Sequence, residues 1–386
     1  GTKIVFDLPG QSSDPYEPSI GIGIKGSSAL RFENLTIQGA PSETATNAVI
    51  GVCIYTVSGA STTGIQFQNC SFRWCSVAVQ TADTDNNSEL AFYDCLFNAN
   101  HVGFQSLSNQ ALVQRFIGCV GGGNAGPDLI EEEVENQYQG MSCMFDLTKG
   151  GNITVIGFGG QNIETLVKVG SGGGNIGWNL FHNVRLEQFG NGGDNKWGND
   201  HRTKFYEAVA AGGSTHGQRT EFDGIVITPP GGGTPKEGPS RFSLMEGHTV
   251  ILRNASRAAT YQFATVDSKL VDFPDISPHA RGGTIRCFNV TVPFDARLDR
   301  DDVPANARYS FTECNDDNTP YPDLLHPPLY GPNYLMSVEY HCWEAGSALV
   351  GVIGDGANTG NVVHAIAPSE PSRVGVIECT TESVGY

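Results

Sequence analysis

The sequence predicts an all-β solenoid, in which short strands wind into stacked coils. Two observations carry this prediction: a phrase repeated at a fixed interval, and a composition typical of brief strands and tight turns. The phrase occupies residues 67–72, 92–97 and 116–121, so its starts lie 92 − 67 = 25 and 116 − 92 = 24 residues apart. A coil of this length buries its apolar side only by stacking on its neighbours, with like residues above like.

Each copy of the phrase combines an aromatic residue, a turn residue and a cysteine. The turn residues Asn69, Asp94 and Gly118 are of the types that accept a left-handed backbone at least cost, so we expect a tight bend at the same place in every coil. The phrase also predicts one internal ladder of cysteines, made of Cys70, Cys95 and Cys119.

Looser copies of the phrase extend the repeat in both directions. They occupy residues 32–37, 181–186, 222–227, 252–256 and 287–292, with bends expected at Asn34, Asn183, Gly224, Asn254 and Asn289. Composition agrees, because the chain has 49 glycines in 386 residues and only 17% charged residues. Short Val, Ile, Phe and Thr runs between Gly, Asn, Asp and Ser read as strands.

This pattern resembles the right-handed parallel β-helix of the pectate-lyase-like superfamily, and is most similar to phage tailspikes and polysaccharide depolymerases. The resemblance covers residues 4–314 and concerns architecture, since its motifs specify a coil and carry no chemistry. The signatures of polygalacturonase-like hydrolases do not occur as a set, so pectin hydrolysis is disfavoured. The resemblance implies a homotrimer that acts on a polysaccharide.

Three segments are expected along the chain. Residues 1–314 form the parallel β-helix, although the period is lost after Asp295, and residues 315–332 form a linker that holds five prolines. Residues 333–386 contain strand-like runs at 334–340, 347–353, 361–366 and 374–379 that predict a small antiparallel unit. This unit either caps the solenoid or mediates oligomerisation.

Charge and hydropathy limit the partners. A formal charge of −18 argues against nucleic acid, which would require clustered Lys and Arg, and it disfavours an unassisted grip on a highly acidic polysaccharide. No apolar stretch of membrane-spanning length occurs, so no membrane insertion is expected. The chain starts in a strand-like run without Met, which suggests that an N-terminal part is missing. We expect an extracellular or virion-surface protein.

The ten cysteines can be read in two ways. A disulfide framework is typical of small secreted chains, whereas this chain is large and places at least three cysteines on one repeated inward position. A ladder of free, buried thiols is therefore favoured.

Two excursions from the coil period are candidates for a catalytic site. Glycoside cleavage requires two carboxyl groups and surfaces that hold a sugar ring. Residues 188–202 and the strand end before them offer Glu187, Asp194 and Asp200 as acids, with Trp197 and His201 as sugar-binding residues. The alternative is a solvated Gly/Asn loop in which the acids are turn residues.

The other excursion carries Glu131, Glu132, Glu133 and Glu135 beside Tyr138. Crowded carboxylates raise one another's pKa, which favours a general acid such as Glu132, with Tyr138 contacting the sugar. A short exposed helix with solvated charges is the alternative.

A third motif, at residues 83–89, offers oxygen ligands at alternate positions. Asp83, Asp85, Asn87 and Glu89 could hold calcium, but the segment lacks the glycine and the length of an EF-hand loop. An Asx-rich turn is the alternative, and no other cofactor is expected. A lyase would in addition need a base, for which Lys168 and Arg185 qualify by residue type alone.

Two functions remain open. The first is a tailspike-like protein that binds a surface glycan and either holds it or also cleaves it, as a hydrolase or lyase. The second is a non-enzymatic fibre or spacer of a virion or cell surface.

Overall fold

The structure consists of short strands, with no helix among the residues that it describes. It is a computed structural model, and it describes residues 2–6, 19–39, 49–55, 61–81, 87–108, 111–122, 141–161, 163–170, 178–187, 204–209, 219–228, 242–243, 248–254, 256–257, 283–288, 291–292, 307–316, 335–341, 350–353 and 362–365.

The described residues form the following strands. The first fourteen are β1 (Thr2–Phe6), β2 (Ser19–Lys25), β3 (Arg31–Glu33), β4 (Leu35–Gly39), β5 (Val49–Tyr55), β6 (Gln66–Gln68), β7 (Ser71–Arg73), β8 (Val77–Thr81), β9 (Ala91–Tyr93), β10 (Leu96–Asn98), β11 (Val102–Ser106), β12 (Gln114–Ile117), β13 (Val120–Gly122) and β14 (Met141–Leu147). The others are β15 (Ile153–Gln161), β16 (Ile163–Gly170), β17 (Trp178–Glu187), β18 (Lys204–Val209), β19 (Arg219–Thr228), β20 (Phe242–Ser243), β21 (Thr249–Arg253), β22 (Ser256–Arg257), β23 (Gly283–Phe288), β24 (Thr291–Val292), β25 (Ala307–Asp316), β26 (Leu335–His341), β27 (Val350–Ile353) and β28 (Val362–Ala365).

The strands wind as a parallel solenoid, which confirms the predicted fold class. An 18-stranded sheet, called here the large sheet, and an eight-stranded second sheet each receive strands from successive coils. The second sheet contains β2, β5, β8, β11, β14, β16, β18 and β20. Phe67 pairs with Phe92, and Phe92 with Phe116, in parallel register. The 25- and 24-residue intervals of the sequence are therefore single coils.

The large sheet bends sharply at the predicted turn residues. Asn34, Asn69, Asp94, Asn183 and Asn254 have φ between 50° and 55°, and Gly118 and Gly224 have φ of 65° and 71°. The bend residue donates its backbone N–H to the next coil, as Asn69 does to the Tyr93 carbonyl at 2.9 Å. Each bend divides a coil of the large sheet into a first arm, before the bend, and a second arm, after it.

Stacked phenylalanine rings fill the interior. Phe32, Phe67, Phe92 and Phe116 stack one above another, with ring centroids 5.0, 5.1 and 4.5 Å apart. A second stack joins Phe72 to Phe97 at 5.0 Å. The third coil departs from this second stack because Gly121 replaces a phenylalanine. A Cβ at Gly121 would lie 2.7 Å from the Phe158 ring, which already occupies the space.

The predicted cysteine ladder is present. The thiols of Cys70, Cys95 and Cys119 each donate to a carbonyl of the preceding coil, at Phe32, Phe67 and Phe92 respectively, over 3.5 Å. All three are buried and form no disulfide, as is also true of Cys53, Cys75 and Cys143. Hydrogen bonding to Cys119, together with burial, raises the pKa of Cys95 to about 12, so this thiol remains protonated at neutral pH.

The parallel ladder continues through β25. The prediction that the coil period is lost after Asp295 is wrong, because β25 pairs in parallel with β23 at an interval of 307 − 283 = 24 residues. Beyond β25 the direction changes: β26 pairs antiparallel with β25, and β27 pairs antiparallel with β28.

These antiparallel pairs confirm the small C-terminal β unit. The run at 374–379 lies outside the described residues, and the division at 314 and 332 stays a prediction. No helix long and apolar enough to cross a membrane occurs within the described part of the chain.

Candidate functional site

The outward side of the first arm carries a connected group of aromatic and charged side chains. Residues alternate along these strands, so Phe181, Phe222 and Leu252 point into the core while their neighbours point outward. Because the strands pair in parallel register, outward residues of successive coils form columns. One column contains Trp178 and Arg219, and the next contains Glu221, Ile251 and Arg286.

Trp178 is an exposed aromatic platform at the start of β17. Its side chain is 54% exposed, the highest value among the large apolar residues that the structure describes. The guanidinium of Arg219, its partner in the register, lies over the ring with Cζ 4.6 Å from the ring centroid. This cation–π contact, worth about 0.5–1 kcal/mol at an exposed site, favours the stacked orientation of both side chains.

Glu221 holds two arginines together. Its Oε2 lies 3.1 Å from Nη2 of Arg219, and its Oε1 lies 2.8 Å from Nε of Arg253 on the next coil. The carboxylate is only 13% exposed, so the pairs are better shielded from solvent than a surface ion pair. The two guanidinium groups are consequently held at defined positions.

The group continues on β23. The Arg253 guanidinium lies over the Phe288 ring, with Cζ 4.3 Å from the centroid, and Arg286 is exposed on the same strand as Phe288. We call these six residues the arginine–tryptophan patch: Trp178, Arg219, Glu221, Arg253, Arg286 and Phe288. The patch crosses four coils, or roughly 14 Å at the spacing of paired strands.

A second carboxylate borders the patch. Asp223 Oδ2 lies 3.4 Å from Nδ1 of His182, and Asn254 donates to Asp223 Oδ1 at 2.7 Å. Glu221 and Asp223 point outward from the same strand, two residues apart. Both are already engaged by cations or an amide, so their arrangement serves to position hydrogen-bonding groups. The patch can therefore stack on a ring and hydrogen-bond polar substituents.

The residues predicted to be catalytic belong to segments that leave the solenoid at a different place from the arginine–tryptophan patch. Asp194, Trp197, Asp200 and His201, with Glu132 and Tyr138, lie outside the described residues. Glu187 ends β17, and its side chain also lies outside them. The strands that flank the two excursions are nevertheless described. One excursion leaves after Gly122 and the other after Glu187, and both return to the second sheet.

The two departure points share one corner of the solenoid. Gly122 pairs with Gln161, and Gln161 pairs with Glu187, so the excursions leave the same column of the large sheet two coils apart. That separation is about 10 Å. The anchors of both predicted groups thus lie two coils apart at one corner, while the side chains that would form the site stay predictions.

The predicted calcium segment belongs to a different corner. It links β8 of the second sheet to β9 of the large sheet. Asp83 and Asp85 lie outside the described residues, Asn87 is buried and Glu89 is exposed with φ of 61°. Within the described ranges, no three His, Cys, Asp or Glu side chains group closely enough to hold a metal ion. Calcium binding stays a prediction.

The two candidate lyase bases lie in different sheets. Lys168 is in β16 of the second sheet, where its Nζ is 3.9 Å from Glu207, and Arg185 is in the second arm of β17. They do not form one site.

A serine–histidine contact also occurs near the shared corner. Ser142 Oγ is 3.2 Å from His101 Nε2, but it also donates to the His101 carbonyl at 3.0 Å. Ser76, at the corresponding position of an earlier coil, donates to the Val49 carbonyl at 3.0 Å without a histidine side chain. We therefore assign Ser142 to coil stacking.

The sequence interpretation missed the arginine–tryptophan patch, although a signal for it exists. When coils are aligned on their bend residues, Trp178 and Arg219 both stand five positions before the bend, at Asn183 and Gly224. Glu221 stands three positions before Gly224, and Arg253 directly precedes Asn254. Aligning coils on the bend, rather than on a fixed interval, would have placed these residues side by side.

Comparison with known proteins gives no match: no family model, no curated protein and no solved structure matches the chain significantly.

Proposed function

We propose that this chain is a β-helical, tailspike-like protein that binds a surface glycan on the arginine–tryptophan patch. The observation that carries the proposal is Trp178, a half-exposed indole held in place by a stacked guanidinium beside an ordered network of polar groups. Sugar rings offer apolar faces for stacking and a rim of hydroxyls for hydrogen bonds, which matches this combination.

The solenoid supports this proposal by its shape. Outward side chains repeat at the spacing of paired strands, so a linear polymer lying along the columns meets equivalent positions in successive coils. The likeness to pectate-lyase-like and tailspike proteins belongs to the same proposal, as do the extracellular or virion-surface location and a homotrimer.

Binding to a panel of immobilised surface glycans tests the function. We expect Trp178→Ala to weaken binding of the recognised glycan at least about tenfold, because the substitution removes the stacking surface. Trp74→Ala is a matched control: Trp74 is also exposed, and the next coil already has alanine at the corresponding bend, Ala99.

Two results would contradict the proposal. If the intact chain binds no glycan of the panel, the protein is better described as a fibre or spacer. If Trp178→Ala and Trp74→Ala weaken binding equally, a glycan binds but the patch is not its site.

Cleavage of the bound glycan is proposed for the shared corner, because both acidic excursions leave the solenoid there two coils apart. Release of reducing ends reports hydrolysis, and an unsaturated product with new ultraviolet absorbance reports a lyase. Alanine at Glu132, Glu187 and Asp194 should abolish either product. Activity that survives all three changes would remove these residues from the catalytic site.

A further inference from the structure

We propose that the glycan recognised by the arginine–tryptophan patch carries an anionic substituent, a carboxylate or a sulfate, which binds between Arg253 and Arg286. This inference rests on the proposed glycan-binding function and specifies the chemical class of the ligand. It runs against the overall charge of the chain, in which 41 acidic residues outnumber 23 basic ones.

The local charge of the patch differs from that of the whole molecule. Among the side chains that the structure describes there, three guanidinium groups, of Arg219, Arg253 and Arg286, stand beside two carboxylates, of Glu221 and Asp223. At physiological ionic strength the Debye length is about 8 Å, so a ligand on the patch responds mainly to these nearby groups. The negative charge elsewhere on the chain is largely screened.

Two arginines retain donors for a ligand. Arg253 donates to Glu221 through Nε, and its terminal Nη groups form no hydrogen bond or ion pair with a residue that the structure describes. Arg286 is exposed and forms no ion pair with any residue that the structure describes. Arg219 differs, because it contacts Glu221 through Nη2.

The two arginines are spaced for a shared anion. Arg253 pairs with Phe288, and Ile251 pairs with Arg286, so Arg253 and Arg286 are diagonal neighbours on adjacent strands. Their Cα atoms are about 8 Å apart from the strand rise and spacing. Guanidinium groups present planar forks of donors that suit the oxygens of a carboxylate or sulfate. The contact with the Phe288 ring restrains the Arg253 guanidinium before a ligand binds.

The distance to Trp178 sets the size of the ligand. Trp178 lies roughly 16 Å from the arginine pair. This distance corresponds to three strand spacings across the sheet and two residue steps along the strand. This span corresponds to several linked sugar rings. One ring would stack on Trp178, and a charged substituent further along the chain would reach Arg253 and Arg286.

Binding of three length-matched oligosaccharides to the full chain tests the inference: a neutral, a carboxylated and a sulfated form, each measured by calorimetry. We expect at least one charged form to bind about tenfold more tightly than the neutral form in 0.15 M salt. Whichever charged form binds more tightly identifies the substituent. In 1 M salt the Debye length falls to about 3 Å and the preference should disappear.

Single substitutions locate the effect. Arg286→Gln and Arg253→Gln should each remove most of the tenfold preference, measured as the ratio of charged-form to neutral-form affinity for the same variant. Arg115→Gln is the matched control. Arg115 is an exposed arginine in the same outward column as Arg286, five coils away, and its loss should leave the preference intact.

Three outcomes would overturn the inference: equal affinity for neutral and charged forms, equal effects of Arg286→Gln and Arg115→Gln, or equal binding of poly-glutamate of matched charge. In each of these cases, the proposed function would still hold if the neutral form continued to bind and Trp178→Ala weakened that binding. Loss of all saccharide binding would instead refute the proposed function itself.

Discussion

Val113 shows how the coil geometry can override the preference of a single residue. Its φ is 58°, in the left-handed region, where a β-branched side chain is strained. The corresponding bends of earlier coils hold Gly64 and Glu89, with φ of 68° and 61°. The backbone N–H of Val113 donates to Asn152 Oδ1, so the contact that fixes this bend does not involve the valine side chain.

Replacing Val113 by asparagine should stabilise the protein by about 1 kcal/mol, because asparagine accepts this backbone more readily and the valine side chain is largely exposed. Chemical denaturation measures the change. Val120→Asn is the control, since Val120 is equally exposed in β13 without a left-handed φ, and it should bring no gain. An unchanged or lower stability of Val113→Asn would show that the bend is not strained.

His248 introduces a pH dependence. It is 2% exposed and hydrogen-bonded through Nδ1 to the hydroxyl of Tyr206, and burial lowers its pKa to about 4 from the ordinary 6.5. The unfolded chain therefore binds this proton more readily than the folded chain. The stabilising contribution of neutral His248 is fully present above pH 6.5 and is lost as the pH falls towards 4.

The expected loss is about 3 kcal/mol, at 1.36 kcal/mol for each pKa unit. Denaturation midpoints measured between pH 7 and pH 4 should show it, and His248→Gln should flatten that part of the profile. The same slope in wild type and variant would assign the acid sensitivity to other groups.

At the scale of the strand, stability depends on ladders that pass through several coils. Phe92 is fully buried, with Phe67 on one side and Phe116 on the other. Phe92→Ala should destabilise the protein by about 3–5 kcal/mol, through lost burial and the cavity left behind. Phe32→Ala should cost clearly less, because Phe32 is only partly buried and stacks on Phe67. If denaturant unfolding showed that Phe92→Ala and Phe32→Ala lower the free energy of unfolding equally, a continuous ladder of phenylalanine rings would be contradicted.

The features that could be predicted from the sequence are those that recur in the same form in every coil. A left-handed bend needs Asn, Asp or Gly, and an inward column needs matching side chains, so both recur visibly. The arginine–tryptophan patch could not be recognised in the same way, because its members are 219 − 178 = 41 and 253 − 219 = 34 residues apart. These intervals vary with the connections between strands, which a fixed period does not follow.

At the scale of the whole molecule, the solenoid separates the two kinds of site that the sequence predicted from the patch that it missed. The acidic excursions leave from one corner, the predicted calcium segment belongs to another, and the arginine–tryptophan patch lies on the outward side of the first arm. A net negative charge combined with an arginine-rich patch would orient an anionic polymer towards that patch.

A crystal structure of the chain with its tightest-binding oligosaccharide tests the central claim, that the outward side of the first arm is a glycan-binding surface. We predict a sugar ring stacked on Trp178 and an anionic substituent within hydrogen-bonding distance of Arg253 and Arg286. An oligosaccharide bound at the corner of the two excursions, with no contact to Trp178, would contradict the claim.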